Sequence, residues 1–172
     1  MAPVAKVGGL GDVVTSLGRA VQAMGHRVEV VLPWYDFFAH SPLLQSVQHE
    51  ASFDWGGTHI EASTGVVEGL RCFFLRPHND LFRTDAVYVG HADGQRFEFF
   101  CGAALEFLAR TSRRPDVLHC HDWSSADVAR LFWQQYAASA MPHTRVVFTI
   151  HNLEFGQERV AQAAYACQRF TT

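Results

Sequence analysis

Between Gly11 and Gly25 the apolar residues Val13, Val14, Leu17, Val21 and Met24 recur at helical spacing. This predicts an amphipathic helix that Gly25 stops. The next stretch, residues 26–32 (HRVEVVL), is rich in β-branched residues and bounded by Gly25 and Pro33, which predicts a strand entering a sheet. Residues 34–94 change character: Gly56-Gly57, Gly65, Gly69 and Pro77 separate short runs such as 60–67 and 70–75, the pattern of a hairpin-rich insertion. From Gln95 to Arg110, Phe97, Phe100, Ala104, Leu105 and Leu108 mark a second helix. Pro115 opens a strand over 116–120. Ser124 or Ser125 can cap a helix running to about Ala138, with Asp127 near its positive end. Residues 145–150 (RVVFTI) form a short, almost wholly apolar run, the type buried on both faces of a parallel sheet.

Helix, strand, insertion, helix, strand, helix, strand is the order of a doubly wound, mostly parallel α/β domain. Such a domain places a strand before its first helix, joined by the glycine turn that meets phosphate. Only seven residues precede Gly8. The first strand is therefore expected to lie outside this chain.

With 172 residues, 48% hydrophobic and 18% charged, the chain is large and apolar enough for one domain core and is not a disordered polymer. The formal net charge is −3 and the 14 Lys and Arg form no basic run, so nucleic acid is not an expected partner. No run of 18 apolar residues occurs, and a membrane partner is not expected either. Cys72, Cys101, Cys120 and Cys167 form no CxxC pair, so they are read as buried or free thiols of a reducing compartment.

Three segments carry candidate chemistry. Lys6-Val7-Gly8-Gly9-Leu10-Gly11-Asp12 precedes the first helix. Glycines let backbone N–H groups approach an anion, and a helix N-terminus adds partial positive charge. The segment is a candidate phosphate cradle with a lysine beside it, although glycines in such a turn can serve conformation alone. His119-Cys120-His121-Asp122-Trp123 ends a predicted strand, with His119 and His121 on one face and Cys120 on the other. Two readings stay open there: histidines hydrogen-bonded at a strand end with Asp122 orienting the loop, or a metal site, which needs a third ligand the sequence does not identify. Ile150-His151-Asn152 ends the next strand, where His151 can donate to a hydroxyl and Asn152 suits a turn. Trp34-Tyr35 and Phe37-Phe38 are either a sugar platform or, more simply, core.

Taken in order, these segments resemble the starch synthases and bacterial glycogen synthases, retaining glucosyltransferases of the two-domain GT-B fold. MAPVAKVGGLGDVV is similar to the family's KxGGL signature, LHCHDWSS to its HDW segment and VVFTIHNLEFG to its histidine loop. The likeness covers essentially the whole chain, and the wording of RAVQ, LPWYD, DGQRFEFFCGAALEFL and HCHDWSSADVA is nearest to the class III soluble starch synthases of plants and algae. It implies that residues 1–172 are one partial catalytic domain, the Rossmann-like N-terminal half, with the C-terminal domain lying outside the chain.

The resemblance implies ADP-glucose as donor, an α-1,4-glucan such as amylopectin or a malto-oligosaccharide as acceptor, and neither cofactor nor metal. It places Lys6 on the donor phosphates and the amides of Gly8 and Gly9 against the nucleotide or glucose. Asp12 would face the sugar or acceptor side. His151 would hold the glucose 6-hydroxyl, with its carbonyl near the cationic sugar carbon. Tyr88 and Asp122 match further active-site positions. The remaining phosphate-binding Arg and Lys, and an essential Glu, would come from the C-terminal domain. The implied compartment is the plastid, or the cytoplasm for a bacterial source. Two departures stand out: Ser124 replaces a histidine of bacterial relatives, and residues 153–156 (LEFG) replace their aromatic-Gln-Gly ending. An alternative of another class is a non-catalytic nucleotide- or glucan-binding remnant.

Overall fold

The computed structural model describes residues 1–152 together with Ala161 and Tyr165. Cys167, the segment 153–156 and the continuation expected over 164–172 lie outside the described residues, apart from Tyr165. The chain divides into two compact units, Met1–His91 and Ala92–Thr172.

The first unit opens with helix α1, Gly8–Ala23. Its end is a Schellman motif: Gly25 takes φ 92°, its N–H donates to the Gln22 carbonyl at 2.9 Å, and the His26 N–H reaches the Val21 carbonyl at 3.4 Å. Strand β1, Glu29–Pro33, follows. Strands β2 (Gln48–Trp55), β3 (Thr58–Val67) and β4 (Leu70–Pro77) complete one sheet in the order β1-β4-β3-β2. β1 runs parallel to β4, whereas β2, β3 and β4 form an antiparallel meander.

Two tight turns set that meander. Gly56 and Gly57 carry φ values of 58° and 77°, and Glu68 and Gly69 carry 52° and 79°. Positive φ at both central residues is the turn whose twist matches the strands it joins. The segment read from sequence as an insertion is thus part of the main sheet. For this reason the sheet is mixed where a mostly parallel one was expected: two-residue turns can only reverse the chain.

The core of this unit lies on β4, where Cys72, Phe73, Phe74 and Leu75 are all at most 1% exposed, so that both faces are covered. Each such large apolar side chain contributes roughly 1.5–3 kcal/mol. Trp34 and Phe38 meet Phe74 and each other edge to face, and Tyr35 meets Phe38 and Phe82 in the same way, with centroids 5.4–5.9 Å apart. Tyr35 and Phe38 are 2% and 1% exposed and so belong to the core, while Trp34 and Phe37 are half-buried.

The second unit contains helix α2 (Asp93–Arg110), strand β5 (Val117–His121), helix α3 (Ala126–Leu131) and strand β6 (Arg145–Thr149). β5 and β6 pair in parallel across α3, a βαβ unit. Ala126 and Ala129, both fully buried, pack α3 against Val146 and Phe148. α3 is shorter than the sequence predicted, because Phe132–Tyr136 continues as a wider π turn. α2 buries Phe97, Cys101, Leu105 and Phe107 together with the ion pair Arg96–Asp93 at 2.5 Å.

Candidate functional site

The site residues predicted from sequence fall into two groups, one in each unit. In the first unit, residues 1–6 fold back onto α1. Thr15 Oγ1 lies 2.9 Å from the Ala2 carbonyl and 3.0 Å from that of Gly11, and the Ala2 N–H donates to Gly11 at 3.0 Å. Close approach is possible because position 11 is glycine: a Cβ there would sit 3.3 Å from Lys6 Cα and 3.4 Å from the Ala2 nitrogen. The fold-back brings Lys6 Nζ to 2.9 Å from Asp12 Oδ2, with both side chains about half exposed.

Gly8, at φ 64°, opens the helix. Gly8 and Gly9 are exposed, Val7 supplies no side-chain cap, and the first turn holds no acidic residue. The first-turn amides are thus left for solvent or an anion, with a cation two residues away. A cavity of about 220 Å³ is lined by Asp12 together with Ala2, Pro3, Thr15, Ser16 and Glu68. Its two carboxylates suit it poorly to phosphate. Tyr88 lies half-buried in the loop between β4 and α2.

In the second unit the carboxyl ends of β5 and β6 lie side by side, with His121 in register with Thr149. The chain leaves β5 through Asp122, which adopts φ 57° and ψ −175° and is 5% exposed. Its N–H donates to the Thr149 carbonyl at 2.9 Å. Its Oδ1 accepts the N–H groups of His151 at 2.5 Å and Asn152 at 3.1 Å. One carboxylate therefore fixes the loop that carries His151. Ser125 acts as a clasp on the same strand end, its hydroxyl accepting from the His121 N–H at 2.6 Å and donating to the His121 carbonyl at 2.8 Å. The serine expected to cap α3 spends its side chain on β5 instead, and Asp127 in the first turn pairs with Arg130 at 2.9 Å.

The alternation predicted for β5 holds. Cys120 is 3% exposed, while His119 and His121 share the opposite face and stack with ring centroids 4.1 Å apart and planes 29° apart. His151 extends the stack, 5.4 Å from His121 at 22°, and His121 Nδ1 lies 3.1 Å from His151 Nε2. His119 Nε2 meets Thr149 Oγ1 at 2.7 Å. Burial, and secondarily the His151 ring, hold the His119 pKa below its ordinary value. Burial and then the neighbouring His119 and His151 lower that of His121 to about 4, against the opposing pull of Asp122. Among the described residues no three His, Cys, Asp or Glu side chains converge as a metal-ligand set; the imidazoles stack face to face.

The sequence pattern of the starch synthase catalytic domain matches residues 1–169. The chain belongs to this family. The chain is 52% identical to starch synthase 3 of Arabidopsis thaliana over all of its length and 16% of that relative. It is 42% identical to glycogen synthase 2 of Methylococcus capsulatus over 96% of the chain and 35% of the relative. Among solved structures, the catalytic domain of starch synthase IV from Arabidopsis thaliana, bound to ADP and acarbose, superposes with a TM-score of 0.82 at 40% identity. That match covers 90% of this chain and 32% of the other. The chain thus spans about a third or less of each of these relatives.

Sequence reasoning placed Lys6 beside the glycine turn and His151 and Asp122 at adjacent strand ends. It missed two features of the strand ends. One is the bond from the Asp122 carboxylate across to the residue 151–152 backbone. The other is the contact of His121 with His151, whose signal was two strand-end histidine motifs on neighbouring parallel strands.

Proposed function

We propose that the protein to which this chain belongs transfers glucose from ADP-glucose to the non-reducing 4-hydroxyl of an α-1,4-glucan, with retention of configuration. The observation that carries this is Lys6 held next to the uncapped, glycine-lined start of α1. Departure of ADP builds negative charge on the diphosphate, and donors already fixed in place stabilise it more as it grows. Lys6 supplies full charge and the amides of Gly8 and Gly9 supply dipoles. Asp12 holds Lys6 in place before the donor arrives and borders the sugar side.

At the second strand end His151 meets the glucose 6-hydroxyl through its ring, and its carbonyl faces the sugar carbon that becomes cationic. Asp122 sets the direction of both through the backbone of residues 151 and 152. Tyr88, in the first unit, is assigned a sugar contact by the likeness to the family alone. No metal or cofactor has a part in this scheme; the rest of the phosphate-binding charge comes from a second domain. The ADP and acarbose named for the structural relative support this pairing of donor and acceptor. The chloroplastic or amyloplastic names of three relatives support a plastid location.

The test is Lys6→Ala in the full enzyme. A charge-assisted phosphate bond contributes roughly 1.5–3 kcal/mol, so kcat/KM for ADP-glucose should fall about 10- to 100-fold. An unchanged kcat/KM would remove the basis of the proposal.

A further inference from the structure

The stacked imidazoles at the ends of β5 and β6 hold one contact that the scheme above leaves unused. We infer that His121 is a positioning residue for His151: it occupies Nε2 of the His151 ring and thereby leaves Nδ1 as the single ring atom presented to the sugar. The inference rests on the proposed role of His151.

His121 Nδ1 and His151 Nε2 stand 3.1 Å apart. A bond between two imidazole nitrogens holds one proton and one lone pair, so the two rings constrain each other's tautomer. Among the described residues the His151 ring makes no other hydrogen bond, and its Nδ1 has no hydrogen-bond partner. The backbone N–H of the same residue is taken by Asp122. His151 is exposed and would otherwise turn about χ1 and χ2. Two anchors, one on the main chain and one on the ring, remove that freedom.

His121 is itself held. Ser125 clasps its main chain on both the N–H and the carbonyl, and His119 stacks on its far face at 4.1 Å. His119 is in turn bonded to Thr149, so the stack is tied to both strands. Within its own unit, the titratable groups acting on His121 are His119 on β5, His151 after β6 and Asp122 at the strand end. Burial keeps His121 neutral near pH 7, the state in which it carries both a donor and an acceptor nitrogen. A protonated His121 could only donate and would add a positive charge beside the developing sugar cation.

The test compares His121→Phe, which keeps a stacking ring and removes Nδ1, with His121→Asn, whose side-chain amide can stand where Nδ1 stood. Both are made in the full enzyme, with thermal unfolding to establish that each folds. Nitrogen-15 NMR of the histidine rings should find His151 in one tautomer in the wild type and the Asn variant, and in a mixture in the Phe variant. With ADP-glucose the Phe variant should lose about tenfold in kcat with a smaller change in KM, and the Asn variant should recover most of it. With ADP-6-deoxyglucose, which lacks the hydroxyl assigned to His151, the Phe variant should equal the wild type.

An unchanged His151 tautomer in the Phe variant would overturn the inference. So would an equal loss on both donors, which is the mark of a merely structural residue. Failure of the underlying reading appears differently: wild-type enzyme would then use both donors equally while the tautomer result stood.

Discussion

Replacing Asp122 by alanine, glycine and asparagine separates its two burdens, an unfavourable backbone and a carboxylate that ties two strand ends. Asp122 sits at φ 57° and ψ −175°, a region populated almost only by glycine and costing about 1–3 kcal/mol for other residues. Its Oδ1 accepts two backbone N–H groups, and bonds to a charged acceptor contribute roughly 1.5–3 kcal/mol each before non-additivity. Asp122→Ala keeps the strained backbone and loses both bonds, for a loss of about 3–5 kcal/mol. Asp122→Gly loses the same bonds but releases the strain, offset by about 0.5–1 kcal/mol of extra chain entropy in the unfolded state. Glycine should therefore be about 0.5–2 kcal/mol more stable than alanine, the reverse of the usual order. Asp122→Asn retains an acceptor oxygen and should lose the least. Urea unfolding followed through tryptophan emission, Trp123 being the adjacent residue, measures all three provided the slope m stays constant. Alanine equal to or better than glycine would refute the strained geometry at this strand end.

Other perturbations act away from that carboxylate. Glu68 holds the first central position of the β3–β4 turn at φ 52°, which asparagine tolerates better; Glu68→Asn should raise stability by about 0.5–1 kcal/mol, read as an increase in Tm. Arg96, 2% exposed, forms a buried ion pair with Asp93; Arg96→Ala removes one partner of that pair and should lose about 3–5 kcal/mol in the same urea assay. The depressed pKa of His121, about 4 against 6.5 when unfolded, makes the unfolded chain bind the extra proton between those values. Stability should therefore be fully present above about pH 6.5 and decline as pH falls toward 4, and a urea midpoint series should be flatter over that window in His121→Phe.

Helical period, glycine stops and apolar runs located α1, β1, α2, β5 and β6 to within a few residues, since each is set by local pattern, although β6 is half-exposed here where its apolar run predicted burial on both faces. The fate of residues 48–77 was not legible. Alternation and glycine pairs identify hairpins, but whether a hairpin stands apart or joins a sheet depends on a distant partner, here β1 alongside β4. The shortening of α3 was equally hidden, because a π turn at Phe132–Tyr136 has no residue signature in this stretch. At the candidate site, Lys6, Gly8 and Gly9 were readable from spacing. Asp122 could be named but its reach of 29 residues to the His151 N–H could not, because pairing register carries that information and sequence spacing does not.

The two-residue reversals in the meander also bear on the order in which the first unit assembles. Strands β2, β3 and β4 meet neighbours across loops of two residues, whereas β1 must wait for a closure spanning Pro33 to Leu70 before its ladder can form. Short closures are kinetically inexpensive and long ones are not, so the meander is the natural nucleus and β1 a late addition. Truncating Ile60 should then slow refolding, while truncating Val31 should mainly hasten unfolding.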